Sequence, residues 1–196
     1  FNSSIIKYLK QYISQSNSKI KMIILGKKGI QAFKNDFNVE IVKGFENFQD
    51  TLSIDSVNML LNLIKDQYKT GQYKSVQLFY NEFVSAITSN VINKQLFPIE
   101  WSSKDVVNED IEMILEPNID QVLNQLTVMF VFNVVYNSFL ESFAAEQGAR
   151  MAAMDAATDN AGEMIKDLTL IYNRKRQAQI TTELSEIVAG AEALVG

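Results

Sequence analysis

An α/β domain around a partly parallel sheet, followed by one very long C-terminal α-helix, is the fold class this sequence predicts. Three observations carry it. Short β-rich runs alternate with helical periodicities from Asn2 to about residue 100. From Asn118 to Val195 no proline intervenes and nothing reads as a strand. At ~1.5 Å per residue that stretch would be roughly 115 Å long, more than the remaining residues could cover, so it must reach toward something else.

Composition narrows the function. With 196 residues, 47% hydrophobic and 21% charged, the chain has an ordinary soluble composition. A net charge of −5 gives no support for nucleic acid as the main partner, which would need a basic surface. The absence of cysteine removes disulfides and thiolate nucleophiles; the absence of histidine removes the commonest general base and zinc ligand. Phe1 is not an initiator methionine, and the following residues are neither basic nor continuously apolar. No signal peptide is read there, and a processed or incomplete N-terminus is expected.

Asn2 to Gln15 places Ile5, Ile6, Leu9, Tyr12 and Ile13 at helical spacing. Lys21 to Gly26 reads as a buried strand ended by glycine, Gly26 to Gly29 as a strand-to-helix turn, and Ile30 to Lys34 as a short helix. Val39 to Val42 is a second strand. Ile54 to Tyr68 carries Val57, Leu60, Leu61 and Ile64 on one helical face, with Gly71 near its C-cap. Ser75 to Tyr80 and Val91 to Phe97 are β-rich runs flanking a polar turn region. This alternation describes a Rossmann-like α/β domain over residues 1–100, with a largely parallel sheet.

Residues 101–117, acidic and containing Ser102 and Ser103, read as a linker. Pro117 suits the first turn of the next helix, and Asn118 with Gln121 fits a capping box. The long helix then occupies 118–196. Its most apolar run, Leu126 to Tyr136, is 11 residues with Thr127 and Asn133 inside it, well short of the ~20 that span a bilayer. It reads as a helix packed between the α/β domain and another helix.

No catalytic, metal or cofactor site rises above background. Gly26-Lys27-Lys28-Gly29 has neither the phosphate-loop spacing nor the three-glycine dinucleotide pattern. Asp36, Asp50, Asp55 and Asp66 stand singly.

Further on, Met151, Met154, Thr158, Ala161, Ile165, Leu168 and Tyr172 alternate steps of three and four, the pattern of a coiled-coil seam. Such a helix needs a partner. No comparable second helix exists in these residues, so another chain or sequence upstream of Phe1 must supply it. The seam breaks at Asn173 to Gln179. A new stripe runs through Ile180, Leu184, Ile187, Ala191 and Leu194. Of five basic residues from Asn118 onward, three are consecutive at Arg174, Lys175 and Arg176, against ten acidic ones. They form either a solvated collar or a fan of long donors for carboxylates and carbonyls on a surrounding protein.

Three segments on this helix resemble the gamma subunit of the rotary F-type ATP synthase. They are Ala149-Arg150-Met151 through Asn160-Ala161, Asn173 to Gln177, and Ile180-Thr181-Thr182-Glu183-Leu184-Ser185-Glu186 with Gly190-Ala191-Glu192-Ala193. Weaker agreement extends through Tyr80 to Ala86 back to Asn2. The resemblance implies a non-catalytic rotor subunit of the central stalk, without a cofactor, coupling c-ring rotation to conformational change in the beta subunits. Its implied partners are the alpha and beta subunits of the catalytic ring, epsilon/delta-type stalk subunits, the c-ring and an N-terminal gamma helix. That helix precedes the α/β domain in the family, as does a glycine- and cysteine-containing segment; both are absent before Asn2 here. By the same resemblance Arg176 and Gln177 contact a beta subunit, and Ile180 to Leu194 form a bearing tip. The implied location is peripheral to the mitochondrial inner membrane, on its matrix side, or alternatively at the cytoplasmic face of a bacterial plasma membrane. A nucleotide-binding α/β enzyme with a coiled-coil oligomerisation tail is the competing expectation.

Overall fold

The computed structural model describes residues 2–16, 18–48, 53–99, 116 and 118–195. Residues 101–115 and Pro117 of the expected linker, and Asp50, lie outside them. By packing, the chain divides into Phe1–Ala149 and Arg150–Gly196.

The first unit opens with helix α1 (Asn2–Gln15), whose apolar spacing buries Ile13. Strand β1 (Ile20–Leu25), helix α2 (Lys27–Phe33) and strand β2 (Val39–Phe45) follow as a β–α–β unit with parallel strands. Its pairing runs from Ile20 opposite Val39 to Leu25 opposite Phe45, with a slip after Met22. Two glycines let α2 lie close on these strands. A Cβ on Gly29 would stand 2.8 Å from Ile24 Cγ2, and one on Gly44 would stand 2.8 Å from Ile30 Cδ1. Ile13, Ile24 and Phe33 form the core between α1, α2 and the strands. Across the pair, Lys21 Nζ lies 3.4 Å from Glu40 Oε1. A hydrogen bond with Tyr73 is the main cause holding the Lys21 amine above its ordinary pKa, and Glu40 adds to it.

Helix α3 (Ile54–Lys69) starts from a Ser53–Ser56 capping box and ends where Gly71, at φ 71°, donates its N–H to the Tyr68 carbonyl. Only glycine adopts that backbone without strain, which explains the stop. Strands β3 (Val76–Phe83) and β4 (Ser89–Phe97) then form an antiparallel hairpin. The strands therefore form two two-stranded sheets, β1–β2 parallel and β3–β4 antiparallel, rather than the largely parallel sheet the alternation suggested. The reason is the connection. Val84 and Ser85 both donate N–H groups to the Thr88 carbonyl, closing a tight turn where a parallel crossover would need a dozen residues or more.

Helix α4 (Ile119–Val195) is capped by Asn118, whose Oδ1 accepts from the Gln121 N–H at 2.9 Å. Within the first unit its residues Val131, Val135, Ser138, Ala145 and Gly148 are buried at steps of three, four and seven. Val131 and Val135 join Phe48, Val57, Leu60 and Leu96 in the main core. By length and composition alone α4 could cross a membrane, but these valines sit in a protein core. The opposite side, with Leu126, Met129 and Phe130, is exposed. The apolar run thus packs on the α/β body by one face only.

Leu60 is 4% exposed and central to that core. Leu60→Ala should cost about 2–5 kcal/mol by urea unfolding, whereas a Phe37→Ala control, on a fully exposed side chain, should change stability by no more than about 0.5 kcal/mol.

Candidate functional site

Two contacts hold α4 against the hairpin within the first unit. Glu141 Oε2 accepts the Phe83 backbone N–H at 2.9 Å. A Cβ on Gly148 would stand 3.0 Å from the Phe83 ring and 3.1 Å from Ala86 Cα, so only glycine lets the backbones approach this closely. Among the described residues, no group of three metal-ligating side chains could hold an ion. The Gly26 N–H, a candidate phosphate donor by position, is used by the Phe45 carbonyl at 2.7 Å.

The second unit, Arg150–Gly196, is helical through Val195, and its described side chains are exposed or nearly so. Met151, Met154, Thr158, Ala161, Ile165, Leu168 and Tyr172 fall along one face, each exposed. Met164 and Ile171 lie roughly 100° to one side of that line, and Leu170 roughly 150° round; all three are exposed too. Sequence reasoning stopped at the seam and missed this widening. A simple count of apolar residues around the helix would have found it. Apolar surface beyond a single stripe needs more than one neighbour.

Next come Arg174, Lys175, Arg176 and Gln177, fanned about 100° apart around the helix. None of the three cations has an acid three or four residues away in either direction. They therefore cannot form the ion pairs by which helices usually neutralise surface charge. Among the described residues, they have no ion-pair or hydrogen-bond partner.

The last segment carries Ile180, Leu184, Ile187, Ala191 and Leu194 on one exposed face, with Val188 beside it. Thr181, Thr182 and Ser185 turn their hydroxyls back onto the carbonyls of Gln177, Ala178 and Thr181 at 2.9, 3.0 and 2.9 Å. Gln179 donates to Glu183 at 3.0 Å. The polar groups of this tip are largely satisfied within the helix, a feature the sequence pattern did not reveal. What remains outward is mostly apolar.

An α/β body and a 77-residue helix whose described residues from Met151 to Leu194 leave their large apolar side chains exposed define the class: a subunit with an extended interaction helix. The comparisons name it. A family model described as ATP synthase matches residues 1–194. The gamma chain of Symbiobacterium thermophilum is 40% identical over all of this chain and 68% of its own length. That of Latilactobacillus sakei is 35% identical over 99% of this chain and 62% of its own length. The chain belongs to the ATP synthase gamma chain family, a non-catalytic subunit of that complex, and spans about two thirds of these relatives' length. The fold agrees with the Tetrahymena thermophila mitochondrial ATP synthase central stalk/c-ring structure, at TM-score 0.62 and 23% identity over 80% of this chain and 69% of the other. A Euglena gracilis mitochondrial ATP synthase in rotational state 3 gives TM-score 0.66 and 19% identity over 98% and 67%.

Because the apolar faces of residues 150–194 are uncovered, their helical amides should exchange hydrogen about 100-fold faster than those of Val131–Ala145 in the isolated chain. Mass spectrometry of exchange on the isolated chain checks this; equal protection would mean that the helix is already partnered.

Proposed function

We propose that the chain is the rotor of a proton-driven ATP synthase, coupling rotation of a membrane c-ring to conformational change in catalytic beta subunits. The observation that carries this reading, beside the family, is the uncovered surface of α4. It has three successive characters: a small-residue seam, a basic collar without internal partners, and an apolar tip whose hydroxyls are turned inward. The seam takes a second, antiparallel helix, the N-terminal gamma helix, from the part of the relatives' length outside these residues. The widened apolar band around Leu170 and Ile171 and the tip face the alpha and beta subunits.

The collar is where the basic residues of this unit cluster, and directional, charge-assisted bonds can form there with a catalytic subunit. Arg176 and Gln177 contact a beta subunit there, as the resemblance in sequence implies. The tip from Ile180 to Leu194 runs as a bearing. As the asymmetric shaft turns, it presents the collar to each beta subunit in succession, and the chemistry stays in those subunits. The α/β body, Phe1–Ala149, meets epsilon/delta-type subunits and the c-ring, and the chain is peripheral to the coupling membrane. The bacterial relatives support the cytoplasmic face of a plasma membrane over the mitochondrial matrix side expected from the sequence, and fractionation of the source cell decides between them.

Arg176→Ala combined with Gln177→Ala should lower ATP turnover of the assembled complex by about 30- to 150-fold, since two charge-assisted or polar contacts at about 1–1.5 kcal/mol each are lost, while assembly survives. Unchanged turnover refutes a coupling role for the collar. By contrast, Ile165→Asp on the seam should prevent stable incorporation into the complex, read by co-purification with the beta subunit; normal incorporation would remove the seam from the partner interface.

A further inference from the structure

The seam of α4 does not begin at Met151. Counted back along the sequence in the same alternating steps of four and three, it passes through Gln147, Ala144, Leu140, Asn137, Asn133, Phe130, Leu126 and Leu123 to Ile119 without a skipped step. Within the first unit this line lies away from the stripe that Val131, Val135 and Ser138 bury in the body. Ile119, Leu123, Leu126, Phe130, Asn133, Asn137, Leu140 and Ala144 are all exposed on it. A repeat kept in phase over such a length is the pattern of a helix with one partner along it.

Asparagine, glutamine or threonine stands at four positions of the line: Asn133, Asn137, Gln147 and Thr158. They are not equivalent. Thr158 donates its hydroxyl to the Met154 carbonyl at 2.9 Å, so its polar group is used on its own helix. Ser138, on the buried stripe, does the same with the Val134 carbonyl at 2.7 Å. Gln147 has a partner as well. Among the described residues, the side chains of Asn133 and Asn137 make no hydrogen bond. An amide carries two donors and an oxygen with two lone pairs, more than one helix carbonyl can answer. The two asparagines are one turn apart, between Phe130 and Leu140 on the same line. Exposed asparagines alone need no explanation. Here any helix that covers Phe130 and Leu140 also covers what lies between them, and takes both amides out of water.

We propose that Asn133 and Asn137 form a polar layer in an otherwise apolar interface with a second helix along Ile119–Gln147, and that this layer selects the register of the partner. The occupant is the N-terminal gamma helix of the rotor reading, on which the inference rests, and the third of the relatives' length outside these residues is long enough to supply it. The partner brings apolar side chains opposite Leu126, Phe130 and Leu140, and amides or hydroxyls opposite the two asparagines. Apolar contacts along the line are alike from one heptad to the next, and would accept a slip of one heptad, ~10.5 Å. Such a slip carries both amides onto apolar neighbours and strands the partner's polar groups too, at the full desolvation cost of each. One polar layer therefore leaves one register.

The experiment is hydrogen exchange, with cryo-electron microscopy, on the protein purified in its native assembly, for the natural chain and for Asn133→Leu combined with Asn137→Leu. The proposal expects the amides of Phe130 to Leu140 to exchange about 10- to 100-fold faster in the variant, because leucine leaves the partner's polar groups buried and unpaired. Slower exchange would mean that apolar side chains face the asparagines, and equal exchange that both amides stay in water; either overturns the proposal. Cryo-electron microscopy of the natural assembly decides without the variant. A partner amide or hydroxyl within hydrogen-bond distance of each asparagine supports the proposal; apolar side chains, water alone, no helix, or a helix of another subunit overturns it. An assembly without alpha and beta subunits would refute the rotor reading and leave these outcomes readable.

Discussion

The main core of the first unit depends on the burial of one stripe of α4, from Val131 to Gly148, against α3 and the β3–β4 hairpin. Val131 and Val135 supply the apolar part, at about 1.5–3 kcal/mol for each fully buried side chain. Burial alone is not directional and would tolerate sliding of the helix along its axis. The polar and steric contacts supply the register. The Glu141 carboxylate takes the N–H of Phe83, and the bare Cα of Gly148 meets Phe83 and Ala86 at the turn. A helix seated by a carboxylate at one point and by a close backbone approach two turns later has little freedom to rotate about its own axis. That fixes which residues of its first part face the body and which, such as Leu126, Met129 and Phe130, stay open.

The open side has a physical consequence. A segment with both a buried and an exposed apolar face is half satisfied, and by composition alone it matches a membrane segment. The distinction comes from what it touches. Residues in register with Val57, Leu60 and Leu96 belong to a close-packed protein interior, which a lipid-facing helix would not share.

Much of this was legible in the sequence because period decides element type. Every helix and strand expected from the spacing of apolar residues is present, and Gly71 and Asn118 stand where helix ends require them. The antiparallel pairing of β3 with β4 was not legible. Val76–Phe83 and Ser89–Phe97 have the same β-rich character in a hairpin as they would in parallel strands, and the deciding contacts are turn bonds between Val84, Ser85 and Thr88. The Ser53–Ser56 box, the buried Asn81 and the Gly148 approach were missed for a related reason. Each depends on which atoms meet in space, and single residues carry no pattern for that. On α4 the seam and tip could be read from their repeat, while the apolar band at Met164, Leu170 and Ile171 could not, because it breaks the repeat that defined the seam.

The three characters of residues 150–194 also fit together energetically in the proposed rotor. A shaft that turns among three similar subunits must meet similar energies at successive orientations, or it stops in the deepest one. Apolar contact serves this need because it is non-directional and scales with area, so sliding one methyl past another changes little. A hydrogen bond or a desolvated ion pair is angular, and breaking one partner away costs several kcal/mol. The tip meets the first condition by construction: Thr181, Thr182 and Ser185 bond to their own helix, leaving few donors to catch on a neighbour. A shaft with no directional contact, however, could transmit little torque to a chosen site. The collar answers that requirement in one short segment. Its three cations have no acid three or four residues away on their own helix, so their bonds are available to a neighbouring helix or subunit. Grip concentrated at the collar, with apolar stripes on either side of it, lets the same helix both turn and push.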